Sequence, residues 1–455
     1  MIDRIRAAAL VLAIAPGFAG CSSFVDDETI GTAPGSLPTD NANVSFIRYA
    51  AIGTSLGAGI QSAGINDSTQ RQSYVYQLAT AMGLNPRVDW FYPSLEMPGC
   101  PAPYANIGAQ TRVGGASSSD CALRAAGSER PYVSNTAIPG LRAIHAIDVT
   151  NATFPTDATP NRAAVFYTGS ISPLAMVMDQ GATFVTLEVG ANDVLQAALG
   201  GTPALLTPVA SFTSSITTIA DSLNFIEARV AMANVPDVTT IPHLSFGFWF
   251  YCLKNGCGAP LNIPATPPFS SPGFIVNTSC SHPASLLGGK GDSSMVAFPT
   301  TAGIAQSLTA GAAILLDCTG DSVRINVGAG FVVPTQFPQY ILTPSEYGAI
   351  RTRVSELNAA IATLVGGRAN FVLVDINAAL QAAVAAGQIP PFPNLAVLST
   401  PGADPNLLFG FPFGAPTASL ISQDGVHPNG AGYRAMAQAF AAAINAKFGT
   451  SLIVP

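Results

Sequence analysis

Four short apolar runs recur along the chain, each bounded by turn-forming residues: Phe46–Ile52, Thr183–Val189, Ala228–Val235 and Asn370–Ile376. Short, nearly continuous apolar runs suit strands buried on both faces. Tyr74–Met82, Val209–Glu227, Pro344–Val365 and Tyr433–Phe448 carry instead the spacing of amphipathic helices. Thr343-Pro344 ahead of Glu346 supplies a capping side chain and a proline for the first turn, and Gly366-Gly367 ends the same segment. Strands separated by helices predict βαβ units. The expected fold is therefore α/β, a three-layer α/β/α sandwich around a parallel central sheet.

Between about His243 and Tyr340 this rhythm breaks. The stretch is rich in proline, holds Cys252, Cys257, Cys280 and Cys318, and carries the aromatic cluster Phe246, Phe248, Trp249, Phe250 and Tyr251. It reads as a disulfide-bearing insertion on the α/β core. Its aromatics form either an apolar wall over a site or the core of the insertion itself.

Composition sharpens this picture. Apolar residues make up 48% of the 455-residue chain, enough to bury a large core, whereas charged residues make up only 10%. A net charge of −7 without a Lys/Arg cluster excludes nucleic acid as a partner. Beyond the N-terminus every apolar run is interrupted before the roughly 18 residues a membrane-spanning helix needs.

The N-terminus reads as an export signal: Arg4 and Arg6, then the apolar run Ala7–Ile14, then Gly17-Phe18-Ala19-Gly20-Cys21. That last stretch resembles the bacterial lipobox, which implies cleavage before Cys21 and a lipid anchor on it. Ser22 after the Cys implies the outer membrane of the cell envelope. A plain secretory signal is the alternative. Residues 22–45 look like a flexible tether, leaving one domain over 46–455. Of the seven cysteines, Cys100, Cys121, Cys252, Cys257, Cys280 and Cys318 remain once Cys21 is set aside. An even set in an exported chain predicts disulfides, with local pairing (100–121, 252–257, 280–318) expected. The rival reading, zinc at Cys252/Cys257, lacks a second Cys pair or a His at ligand spacing.

Four motifs carry candidate chemistry. Gly53-Thr54-Ser55-Leu56-Gly57 follows the first strand candidate directly, which would expose Ser55 at the sheet edge where ligands bind. Asp424-Gly425-Val426-His427 puts a carboxylate and an imidazole on one loop, just before a helix expected from about Gly432. A serine hydroxyl needs a neutral imidazole to accept its proton, and the imidazole needs a carboxylate to fix its tautomer. With only four histidines in the chain, the pairing is informative, and His145, His243 and His282 read as structural or exposed. Gly190-Ala191-Asn192-Asp193, after a strand, offers an amide donor for an oxyanion. In Asn135-Thr136-Ala137-Ile138-Pro139-Gly140, the Gly140 N–H can approach a substrate oxygen.

In this order the four motifs resemble the blocks of the SGNH hydrolases, the GDSL-like lipases and esterases. The resemblance spans residues 46–448, the insertion excepted. It implies Ser55 as nucleophile, His427 as base and Asp424 as its partner. The Ser55 N–H, Gly140 and Asn192 would form the oxyanion hole, and no metal or organic cofactor is needed. Asn234-Val235-Pro236-Asp237 looks like the segment ending the family's fourth strand. One departure stands out: the family's first block usually reads Gly-Asp-Ser, and Thr54 occupies the Asp position, one thought to support the loop.

The implied activity is hydrolysis of carboxylic esters, small-molecule or lipid, through an acyl-enzyme on Ser55. Two alternatives carry different outcomes: a carbohydrate O-acetyl esterase of the same fold, and a non-catalytic surface lipoprotein on a decayed one. An α/β-hydrolase also has a G-x-S-x-G elbow, but it needs several strands before its serine, and Cys21 to Ser55 has room for one.

Overall fold

The computed structural model describes residues 46–86, 88–107, 110–121, 133–148, 171–257, 272–328, 330–335, 340–389 and 419–455. The expectations for Cys21, the signal segment and the 22–45 tether fall outside these residues.

The centre of the fold is a four-stranded parallel sheet of β1 (Tyr49–Ile52), β2 (Phe184–Leu187), β3 (Arg229–Ala233) and β4 (Phe371–Val374), side by side in chain order. Each of the four apolar runs supplies one strand. Pairing is continuous, from Tyr49 opposite Phe184 to Val374 opposite Ala233. A further parallel bridge, Ala51 to Asn135, extends the sheet beyond β1.

Successive strand residues point to opposite faces, and the two sets enter separate apolar clusters. Ala50, Ile52, Val185, Leu187, Val230 and Met232 pack with the helices Val209–Phe225 and Pro344–Gly366. Tyr49, Ala51, Phe184, Ala231 and Val374 pack with Tyr74–Ala81 and the final helix Gly430–Phe448. Both faces being buried is why the strands read as unbroken apolar runs. The long helix Pro344–Gly366 starts with the expected reciprocal cap between Thr343 and Glu346. The final helix starts at Gly430, because the Asn429 side chain caps it by accepting from the Gly432 N–H.

From Leu244 to Leu342 the chain builds two small sheets. One joins Leu244–Phe246, Met295–Ala297 and Ile341–Leu342; the other joins four strands between Phe274 and Val332. Strands of two or three residues bury too little to show alternation, which is why periodicity missed them. Phe248 and Phe250 are buried in this region's own core, and Phe246, Trp249 and Tyr251 pack against it. Two of the five aromatics are thus interior to the segment, and the other three are half-buried against that interior.

Three disulfides form: Cys100–Cys121, Cys252–Cys257 and Cys280–Cys318. They point to an oxidising, exported location. Among the described residues no helix is long and apolar enough to cross a membrane.

Candidate active site

Parallel strands end on a common edge, and the loops leaving β1 and β2 there carry Ser55 and Asn192. After Ile52 the chain turns at Gly53, and Thr54 caps a one-turn helix that begins with Ser55. Gly57 permits the turn to lie flat: a Cβ there would stand 2.9 Å from the Ala137 Cβ. The Asn135–Gly140 segment is tied to the same loop, with the Asn135 amide donating to the Gly57 carbonyl (2.9 Å) and the Ile138 N–H to the Gly53 carbonyl (3.0 Å).

His427 reaches this turn from the loop before the final helix. Its Nε2 lies 2.9 Å from Ser55 Oγ, and its Nδ1 lies 2.8 Å from Asp424 Oδ2. With Nδ1–H donating to the carboxylate, Nε2 is left as acceptor for the serine hydroxyl. Asp424 is buried, and its other contacts are unusually full. Oδ1 accepts from the N–H groups of Val426 and His427, both at 2.9 Å, and from Ser422 Oγ at 3.2 Å. Oδ2 also accepts from the Ala63 N–H at 2.7 Å. Burial alone would raise this carboxyl. The charge of a protonated His427 and the hydrogen bonds from His427 and Val426 outweigh burial, holding Asp424 well below the usual carboxylate range.

The Ala63 donor comes at a cost in backbone strain. Ser62 and Ala63 both sit in the left-handed region, at φ 50° and 51°, each costing about 1 kcal/mol for a residue with a Cβ. The Ser62 N–H donates to Ser422 Oγ (2.9 Å), so two strained residues hand both their donors to the Asp424 loop.

On the other side of Ser55, Asn192 opens the helix that follows β2. Its amide donates to the Leu141 carbonyl (3.1 Å), and Asp193 accepts from the Ala143 N–H (3.0 Å), so the Asn192 and Gly140 turns are bound together. Among the described residues neither the Ser55 nor the Gly140 N–H has a hydrogen-bond partner.

Sequence reasoning missed two contributors. Glu188, fully buried at the end of β2, accepts from the Thr54 N–H (3.0 Å) and from Thr54 Oγ1 (3.0 and 2.8 Å to its two oxygens). Burial pushes its carboxyl up to about 7, against the pull of the Thr54 hydrogen bonds. A lone acid inside the apolar run Phe184–Val189 was its signal. Ala63 had none, since it acts through its backbone. His243, read from the sequence as structural or exposed, is structural and braces the loop bearing Asp424: its N–H donates to the Gly425 carbonyl (2.9 Å), and its ring Nδ1 lies 3.0 Å from the Asp424 carbonyl. Burial lowers this imidazole below its usual range despite nearby Asp424, so it stays neutral and donates through Nδ1–H. Gly425 meets His243 so closely, at φ +69°, that a Cβ would lie 2.9 Å from the His243 nitrogen.

No family model, curated protein or solved structure matches the chain.

Proposed function

We propose that this chain is a serine ester hydrolase of the SGNH type on a three-layer α/β/α sandwich, hydrolysing carboxylic esters through an acyl-enzyme on Ser55. The observation that carries the reading is the continuous chain from Ser55 Oγ to His427 (2.9 Å) to Asp424 (2.8 Å). Ser55 meets an Asp/His pair 372 residues further along the chain, in the order that acyl transfer requires.

In the first step Ser55 Oγ bonds to the ester carbonyl carbon while its proton passes to His427 Nε2. Asp424, kept ionised, stabilises the resulting imidazolium. The carbon–oxygen bond to the alcohol then breaks, and His427 returns the proton to the leaving oxygen. Water repeats the sequence on the acyl-enzyme: it gives a proton to His427, adds to the carbonyl, and releases the carboxylic acid as Ser55 recovers its proton. The unengaged N–H groups of Ser55 and Gly140 and the Asn192 amide are assigned to the developing oxyanion.

The geometry weighs against a decayed, non-catalytic module. The Asp expected at Thr54 has a substitute in Glu188, and Asp424 keeps a full set of donors. We further propose that Cys21 carries a lipid anchor in the bacterial envelope; the disulfides support export, and mass spectrometry of the mature N-terminus tests the lipid.

The activity is tested by hydrolysis of p-nitrophenyl butyrate by purified protein beside Ser55→Ala. Loss of about 10³-fold or more in turnover is expected. Equal activity in the variant overturns the assignment.

A further inference from the structure

We infer that Gln423 and Arg112 are positioning residues for the Asp424 carboxylate, acting through a hairpin that clamps the strained Ser62–Ala63 turn against it. This rests on the serine-esterase reading above and adds to it residues outside the four motifs.

The hairpin pairs Tyr104–Asn106 with Thr111–Arg112 and lies within the loop that the Cys100–Cys121 disulfide closes. Hairpin, turn and Asp424 loop meet in a closed ring. The Ser62–Ala63 turn sends both its N–H groups to the Asp424 loop, to Ser422 Oγ and to Asp424 Oδ2. It sends both its carbonyls to the hairpin: Ser62 O accepts from the Tyr104 N–H (2.9 Å), and Ala63 O from the Arg112 guanidinium (3.2 Å). Gln423, the residue before Asp424, closes the ring. Its side-chain Oε1 accepts from the Ile107 N–H (2.9 Å), and its Nε2 donates to the Ala105 carbonyl (3.0 Å). Its backbone N–H donates to Ser62 Oγ (3.3 Å).

The peptide plane between Ser62 and Ala63 explains what the ring does. In a trans peptide the C=O and the N–H point in opposite directions. The Tyr104 N–H therefore holds one end of this plane while Asp424 Oδ2 takes the other, 2.7 Å from the Ala63 nitrogen. The plane keeps this direction only while two residues with a Cβ stay in the left-handed region, which an unsupported turn leaves readily. Arg112 pins the next carbonyl and also grips Ala102 O, its guanidinium 3.8 Å from the centre of the Tyr104 ring. Gly64 lets the turn seat this closely, since a Cβ there would stand 2.4 Å from the Pro103 nitrogen. Support thus runs from hairpin to turn to carboxylate to His427, and Gln423 and Arg112 act on the reaction only through Asp424.

The experiment measures p-nitrophenyl butyrate hydrolysis by full-length Gln423→Ala and Arg112→Met, each in the wild-type and in the Asp424→Ala background, with folding checked by thermal melts. In the wild-type background each is expected to lower kcat roughly 10- to 100-fold with KM little changed, the effect of displacing a catalytic group by about 1 Å. In the Asp424→Ala background the same substitutions should add less than about twofold, because the group they position is gone. Arg112→Lys, which keeps a donor for Ala63 O, should recover most of the loss. Gln423 and Arg112 are separate handles on one clamp, so a folding failure in one variant leaves the other decisive. Equal losses in both backgrounds, or unchanged kcat in a folded variant with hydrolysis still dependent on Ser55, overturn the positioning role and leave the esterase standing. Hydrolysis of no ester by the wild type, or hydrolysis independent of Ser55, overturns both.

Discussion

Thr54 and Glu188, 134 residues apart in sequence, share a buried contact: the Thr54 hydroxyl lies 3.0 and 2.8 Å from the two carboxyl oxygens, and the Thr54 N–H adds a third bond at 3.0 Å. A buried carboxyl at the end of the neighbouring strand thus holds the turn that carries Ser55. Under the proposed ester hydrolysis, Glu188 is a positioning residue that acts through Thr54.

Replacing it separates positioning from bulk stability. Glu188→Gln keeps an acceptor for Thr54 and should stay within about tenfold of wild-type kcat. Glu188→Ala removes it and should cost roughly 10²-fold in kcat with KM little changed, since a displacement of about 1 Å at a nucleophile has that effect. A purely structural role predicts matched losses of folded protein in the two variants, with unaltered kcat per active site by phosphonate titration.

Putting the family's acid back at Thr54 should do harm. Thr54→Asp sets a second carboxyl against Glu188 in a buried site, where two like charges within hydrogen-bond reach cannot both ionise. Thermal stability and turnover should both fall above neutral pH. The double variant Thr54→Asp, Glu188→Thr should recover most of the loss, a coupling that a thermodynamic cycle measures directly.

Glu188 also sets a pH dependence of stability. Its carboxyl titrates near 4.5 in an exposed chain and is raised to about 7 in the fold. Between those values the folded state holds a proton that the unfolded state has lost, so stability declines as pH rises through this window. The shift corresponds to about 3 kcal/mol. Urea denaturation at pH 5 and pH 8 should show this decline in wild type, and Glu188→Gln should remove it.

Ala63 offers a test of strain. Ala63→Gly relieves the left-handed backbone while keeping the N–H to Asp424, and should stabilise by about 0.5–1 kcal/mol with turnover retained. Ala63→Pro deletes that N–H and cannot adopt φ 51°. It should lower kcat well below that of Ala63→Gly, even at temperatures where both remain folded.

The sheet was readable because burial on both faces leaves an apolar run, and β1 to β4 fell within all four runs. The Asp424/His427 pair was readable because the two residues lie on one short loop. Local disulfide pairing was one arrangement among several that six cysteines allow, and it is the one that forms. What escaped notice depends on contact between distant segments or on backbone alone. Nothing in the sequence near Thr54 announces Glu188, and an alanine donating through its N–H looks like any other alanine. The short strands between Leu244 and Leu342 lack the length for a period to register.

His243 gives the arrangement its last consequence. It stands at the threshold of the disulfide-stapled segment, and both its backbone and its ring grip the loop bearing Asp424. An appendage joined only at a surface turn can be trimmed, exchanged or grafted without disturbing the core. This one cannot: excising it would strip Asp424 and Gly425 of the hydrogen bonds that hold their carbonyls. The segment is therefore tied to the loop bearing Asp424 at its first residue.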